Sequence, residues 1–91
     1  MVTSIILITT ERTKINEVAT KLAELEGVSE VYSVSGNYDL VAIAHVKSND
    51  DLSSLVTEKM LSINAILNTE TMLAFKTFSR HDLEAMFDVG M

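Results

Sequence analysis

The sequence has 91 residues, a hydrophobic fraction of 47% and a net charge of −6 at pH 7. This length predicts one domain with a small core, and the absence of cysteine excludes disulfides and cysteine metal sites. The seven lysines and arginines are scattered, so the clustered basic surface that DNA or RNA binding requires is missing. No apolar run reaches the roughly 18–20 residues that span a bilayer. We therefore expect a cytoplasmic protein that contacts neither membrane nor nucleic acid.

The first two predicted elements are a buried strand and an amphipathic helix. β-Branched residues dominate Val2 to Thr9, and apolar residues occupy both alternating sets, so both faces of this strand favour burial. From Ile15 to Leu25 the apolar residues follow helical spacing. Thr13 is the expected N-cap of this helix, and Gly27 is the expected C-terminal cap.

A turn joins the second and third predicted strands. The run from Val28 to Ser35 is polar enough to indicate an edge strand, whereas Tyr38 to Val46 is apolar on both faces apart from Asp39 and His45. Gly36-Asn37 lies between these runs, and both residues tolerate positive φ. The pattern therefore predicts a tight β-hairpin at this point.

A second helix, a final strand and a terminal helix complete the predicted chain. Ser48 to Asp51 is a helix-start signal, and the apolar stripe that follows it continues to Met60. Ala65 to Phe78 predicts one long strand, and a short amphipathic helix is expected from Ser79. The order β-α-β-β-α-β plus a terminal helix indicates an α+β ferredoxin-like sandwich, with two helices on one face of a four-stranded antiparallel sheet.

The second face of such a sheet carries no helix. Because the first and third strands are apolar on both faces, a monomer would expose a larger apolar patch than the few hundred Å² usual for monomers. We therefore predict a dimer through the sheet faces, of the dimeric α/β barrel type, with higher symmetry also open.

Three segments of the chain resemble one known family. The run Gly27 to Val34, the turn Gly36 to Leu40 and the Thr-bearing strand Asn68 to Thr71 match it in order and spacing. The family is the ligand-sensing (RAM) domain of the Lrp/AsnC, or feast/famine, transcription regulators. The resemblance covers nearly all of residues 1–91 and implies a single stand-alone domain without the helix-turn-helix domain of those regulators. One departure is Ser62-Ile63-Asn64, where the family often has a proline.

The resemblance implies both partners and a binding site. Family members form sheet-face dimers that assemble into octamer-like rings, and free amino acids or related small effectors bind where dimers meet. A further implied partner is a full-length Lrp/AsnC regulator that this chain would modulate. No catalytic residue, metal or cofactor is implied. The implied effector-binding residues are Gly36, Asn37, Tyr38, Asp39, Thr69 and Thr71.

Each implied residue has a chemical role toward an α-amino acid. Asp39 would meet the ammonium group, and the backbone amides near Gly36 and Asn37 would meet the carboxylate. The hydroxyls of the two threonines would add donors. Tyr38 would cover an apolar side chain of the effector.

Other interpretations of the same residues stay open. Asp39 is also an ordinary turn carboxylate, and Tyr38 also suits simple packing in a half-buried sheet. The fold also occurs in small dimeric barrel enzymes such as monooxygenases, for which His45 would be the only candidate residue. A purely structural assembly domain is the third alternative. His45 and His81 are far apart and lack a cysteine or spaced acid partner, so they do not indicate a metal site.

Overall fold

The computed structural model describes residues 1–80 and confirms the ferredoxin-like α+β fold. One antiparallel sheet has the strand order β2-β3-β1-β4, and two helical segments lie on one of its faces. The predicted terminal helix beyond its first two residues, and His81, lie outside the described residues. The elements are β1 (Val2–Thr10), α1 (Ile15–Ala23), β2 (Val28–Ser33), β3 (Leu40–Val46), α2 (Asn49–Ser54), a π-helix (Leu55–Met60) that continues α2, and β4 (Ile66–Ala74).

The core lies between the sheet and its helices. In the antiparallel register, Ile6 lies opposite Ala42 and Ile8 lies opposite Leu40, so these four side chains share one face, which we call the helix face. All four are fully buried. The helical segments complete this core with Val18, Leu22, Leu55 and Met60.

The opposite surface of the sheet, which we call the open face, is covered by no element within residues 1–80. Ile5 lies opposite Ile43 and Leu7 lies opposite Val41, and these four apolar side chains are only half-buried. The two central strands are therefore apolar on both faces, as their sequence predicts. Their helix-face side chains are covered by the helices, whereas no element within residues 1–80 covers their open-face side chains.

The connection between β2 and β3 is longer than the two-residue turn predicted at Gly36-Asn37. The strands end at Ser33 and resume at Leu40, which leaves six residues between them. Gly36 has a positive φ of 106°, but Asn37 does not share this conformation. The physical reason is that the Asp39 N–H donates to the carbonyl oxygen of Ile8 on β1 at 2.9 Å, which draws this end of the loop toward β1.

Strand β2 is an edge strand, as predicted, and it carries a bulge. The register with β3 shifts between Val28 and Glu30, so the alternation of faces is interrupted there. Val28 and Val31 consequently pack against the core, while Glu30 and Tyr32 lie on the open face.

The predicted caps of the first helix are wrong. Thr13 lies inside a 3-10 turn, Arg12–Lys14, and Lys14 occupies the N-cap position without a side-chain hydrogen bond. The helix ends at Ala23, so Gly27, with φ of 97°, forms the turn into β2 instead of the cap. The start signal of the second helix is confirmed, because the Ser48 hydroxyl accepts the N–H of Asp51 at 3.2 Å.

The final strand is shorter than predicted. Strand β4 begins at Ile66 and ends at Ala74 instead of continuing to Phe78. Ala74 lies opposite Thr3, near the start of β1, so the chain beyond it has no neighbouring strand within the described residues. Phe75 and Phe78 are consequently 96% and 70% exposed.

Candidate functional site

Asp39 ties the start of β3 to the end of β1. Its Oδ2 accepts the backbone N–H of Thr10 at 2.9 Å, where the register between β1 and β4 shifts. Thr10 is only 2% exposed, so this hydrogen bond satisfies a donor that has little access to water. The carboxylate therefore has a structural role, and its second oxygen, Oδ1, is the one that a ligand could contact.

Tyr38 connects the β2–β3 loop to the far edge of the sheet. Its hydroxyl donates a short hydrogen bond to the carboxylate of Glu70 on β4. Glu70 lies opposite Leu7, so this contact lies on the open face and spans β1. The hydrogen bond to Glu70 raises the pKa of the Tyr38 hydroxyl above its ordinary value, and desolvation and the negative charge add to the effect.

The sequence prediction missed Glu70, although a signal for it exists. Glu70 lies between the two implicated threonines, and alternation along a strand sends it to the opposite face from both. A glutamate on an open sheet face, at the end where a tyrosine-bearing loop lies, is a natural hydrogen-bond partner for that tyrosine.

Thr69 and Thr71 lie on the helix face of β4. Their register partners on β1 are Ile8 and Ile6, and Ile8 in turn lies opposite Leu40. Thr69 is therefore two strand spacings, about 10 Å, from the start of β3. No hydrogen bond within residues 1–80 joins either threonine to residues 36–39.

The loop tip is exposed and sterically open. A Cβ added to Gly36 would meet no atom within 4 Å, and Asn37 is likewise exposed. Neither amide donates to a backbone carbonyl of residues 1–80. These two N–H groups are therefore available to a ligand or a neighbouring chain.

The six implicated residues occupy three surfaces at one end of the sheet. Gly36, Asn37 and Asp39 lie at the tip and base of the loop, Tyr38 bonds across the open face, and the threonines lie on the helix face of β4. Two cavities in the described part of the chain, of about 390 and 210 Å³, are lined by none of them. Within residues 1–80 of one chain, these six residues therefore lie on separate surfaces.

His45 lies at the opposite end of the open face. Its Nδ1 is 2.9 Å from the Thr3 hydroxyl, and the ring is exposed. Among the described residues, no group of three or more histidines and acids is positioned to hold a metal ion. Within residues 1–80, no helix has the length and apolarity needed to cross a membrane.

The described part of the chain is a ferredoxin-like α+β module with a six-residue loop at one end of its sheet. The sequence model of the Lrp/AsnC ligand binding domain matches residues 3–83. The chain belongs to the Lrp/AsnC family, as its motifs indicate.

Curated relatives are named transcriptional regulators. The regulator FL11 of Pyrococcus abyssi is 36% identical over 72 residues, which cover 79% of this chain and 47% of FL11. The regulator Ptr1 of Methanocaldococcus jannaschii is 32% identical over 65 residues, which cover 71% of this chain and 44% of Ptr1. The chain thus spans about half the length of the curated relatives it matches.

Solved structures show the same fold. TTHA0845 of Thermus thermophilus superimposes with a TM-score of 0.83 at 40% identity, covering 88% of this chain and 100% of that one. The AsnC protein of Escherichia coli gives a TM-score of 0.81 at 26% identity, covering 87% of this chain and 54% of AsnC.

Proposed function

We propose that this chain is a small-effector-binding and oligomerising module that acts on transcription, without catalytic activity or a cofactor of its own. The match to the ligand binding domain over residues 3–83 carries this proposal. The names of the curated relatives support a regulatory role and a cytoplasmic site of action. Full-length regulators of the same family are the proposed partners, because this module occupies about half of such chains.

The proposed assembly uses the open face. A second copy placed on it would cover Ile5, Leu7, Val41 and Ile43, which the chain itself leaves half-exposed. Such a face-to-face contact is self-complementary and closes as a two-fold dimer. Dimers would then meet through their loop ends in an octamer-like ring.

The proposed effector is a free α-amino acid or a related small molecule, bound at the loop end of the sheet. Asp39 Oδ1 would accept the ammonium group, while Oδ2 keeps its hydrogen bond to Thr10. The exposed amides of Gly36 and Asn37 would donate to the carboxylate. Tyr38, held by Glu70, would present a ring of fixed position to an apolar side chain.

Thr69 and Thr71 would come from a neighbouring chain in this arrangement. Within one chain no hydrogen bond joins them to the loop, and they belong to the opposite sheet face from the Tyr38–Glu70 contact. A site shared between dimers would bring the loop of one copy to the β4 edge of another. The proposal therefore couples effector binding to assembly.

Thermal unfolding against the twenty amino acids tests the effector claim. A ligand at 100 times its Kd should stabilise the protein by about 2.7 kcal/mol, which raises Tm clearly. Asp39→Asn removes the charge but keeps an oxygen for the Thr10 N–H, so it should lose the ligand response while retaining most of the unliganded stability. Thr71→Val should weaken the response, and Thr20→Val, on the exposed surface of α1, is its control. No Tm shift at millimolar concentration with any amino acid would contradict the proposal.

A further inference from the structure

Met72 places a thioether group on the open face of the sheet. It lies opposite Ile5, which in turn lies opposite Ile43, so the three side chains form one row across the open face. Met72 is 42% exposed, and its neighbours on the same face of β4 are Glu70 and Ala74. A second copy that covers Ile5 and Ile43 would therefore reach Met72 as well.

A buried methionine of the same chain provides the contrast. Met60 is fully buried in the core between the sheet and its helices. Oxidants react with an exposed thioether faster than with one that is shielded from solvent. In a single chain, Met72 is therefore open to oxidation and Met60 is protected. A second copy on the open face would extend this protection to Met72.

Oxidation by a peroxide changes the chemistry of the Met72 side chain. One oxygen atom of hydrogen peroxide forms an S=O bond with the thioether sulfur, the O–O bond breaks, and the rest of the peroxide leaves as water. The sulfur is oxidised and the peroxide is reduced. The product, methionine sulfoxide, is polar where the thioether was apolar, and methionine sulfoxide reductases reverse the reaction.

Three hydroxyl groups on the open face already have hydrogen-bond partners. Thr3 is bonded to a histidine, and Tyr32 and Tyr38 each donate to a glutamate. A Met72 sulfoxide covered by a second copy would lose its hydrogen bonds to water and would compete with these existing bonds for a donor. Burying a polar group without a partner is costly, so the sulfoxide should oppose association through this face.

We propose that Met72 is a site of reversible oxidation by peroxides, and that its sulfoxide form keeps the chain from associating through the open face. This inference rests on the proposed association through that face. Because a second copy shields Met72, oxidation takes place in the dissociated chain, and the sulfoxide then opposes reassociation. Peroxide would thus shift the assembly, and the effector response coupled to it, toward single chains.

Treatment with hydrogen peroxide at two protein concentrations tests the accessibility of Met72. Mass spectrometry of proteolytic peptides measures the oxidised fraction at Met72 and at Met60. Well below the concentration at which copies associate, Met72 should oxidise at least about tenfold faster than Met60, and well above it at least about tenfold more slowly than in the dilute protein. Sedimentation velocity fixes the two concentrations. A Met72 rate equal to that of Met60, or one independent of protein concentration, would overturn the proposal.

Sedimentation velocity of the peroxide-treated protein tests the consequence for assembly. Oxidation should weaken association at least about tenfold, and treatment with the two methionine sulfoxide reductases should restore it. Met72→Leu keeps an apolar side chain of similar volume and all the other methionines, so peroxide should leave its association unchanged. Equal losses in wild type and Met72→Leu would assign the effect to another methionine and overturn the site.

A permanent polar group at the same position provides a test without peroxide. Met72→Gln should weaken association at least about tenfold, with circular dichroism showing that the fold is kept. The matched control is Leu73→Gln, because Leu73 is 47% exposed on β4 but lies opposite Ser4 on the helix face. This control should associate through the open face like wild type.

The outcomes separate this inference from the proposed function. An oxidised protein, or a Met72→Gln variant, that associates as tightly as untreated wild type overturns the inference and leaves the proposed function standing. An untreated wild-type protein that stays monomeric contradicts the proposed assembly itself, and the inference falls with it.

Discussion

At the scale of single residues, the carboxylate of Asp39 does more than end a turn. It satisfies the N–H of the nearly buried Thr10, so removing it leaves that donor without a partner. We expect Asp39→Ala to lower the free energy of unfolding by about 1–3 kcal/mol, and Asp39→Asn by less. Urea denaturation measures both, and Asn37→Ala, in the same loop but exposed, is the control. A loss no larger than that of Asn37→Ala would contradict the structural role of Asp39.

The ionisation of a second residue, Tyr38, tests its hydrogen bond to Glu70. Because Glu70 accepts its hydrogen bond, the pKa of Tyr38 should lie above the ordinary value of 10.0. A raised pKa in the folded protein means that the contact stabilises the fold fully below about pH 10 and that this stabilisation is lost as the pH rises through the folded value.

Alkaline titration by near-ultraviolet absorbance measures this pKa, in a Tyr32→Phe background that leaves Tyr38 as the observed phenol. Glu70→Gln removes the charge and should bring the pKa back toward 10.0, whereas Glu58→Gln, on the π-helix, should leave it unchanged. A Tyr38 pKa that does not respond to Glu70→Gln would show that the loop does not reach β4 in solution.

At the scale of elements, two glycines with similar φ serve different purposes. Gly27 and Gly36 have φ of 97° and 106°, so an alanine is strained at either position, by roughly 1–2 kcal/mol. Only at Gly27 would the added methyl also crowd a buried side chain, Val46. We expect Gly27→Ala to destabilise the protein more than Gly36→Ala does, as measured by the urea midpoint. Equal losses would mean that Val46 yields and that backbone strain is the whole effect.

Among the elements, the sequence predicts the features that depend on local signals and not those that depend on distant residues. The alternation in β1 and β3 identifies strands that are apolar on both faces, and Ser48 identifies a helix start, because these signals are local. The loop boundaries depend on the bond from Asp39 to Ile8, a residue 31 positions earlier in the chain, which no local pattern contains. The end of β4 depends on where β1 begins, so the apolar run toward Phe78 overstates the strand.

The sequence likewise predicts some features of the candidate site and not others. Its residue types and the placement of the loop at a sheet end follow from the motifs. The Tyr38–Glu70 contact crosses β1, and it requires knowledge of which strand is the neighbour. The order β2-β3-β1-β4 places β4 beside β1, and the register that pairs Glu70 with Leu7 puts Glu70 on the open face.

At the scale of the whole molecule, the two sheet faces are unequally covered. The central aliphatic side chains of β1 and β3 on the helix face are fully buried, whereas Ile5, Leu7, Val41 and Ile43 on the open face stay half-exposed. The polar residues around them include Glu30 and Glu70, each of which accepts a hydrogen bond from a tyrosine of the same chain. An apolar centre with a polar rim is the composition of a protein interface.

A charge placed in the centre of that face tests whether a second copy covers it. We expect Leu7→Glu or Ile43→Glu to weaken the proposed dimer at least about 100-fold, or roughly 3 kcal/mol, because two-fold symmetry would bury two unpaired carboxylates. Sedimentation velocity at micromolar concentration measures the association, and circular dichroism checks that the fold is kept. Leu61→Glu is the matched control, since Leu61 is a leucine already 62% exposed outside the sheet. A wild-type protein that sediments as a monomer, or a Leu7→Glu variant that associates like wild type, would show that the open face is not where copies meet.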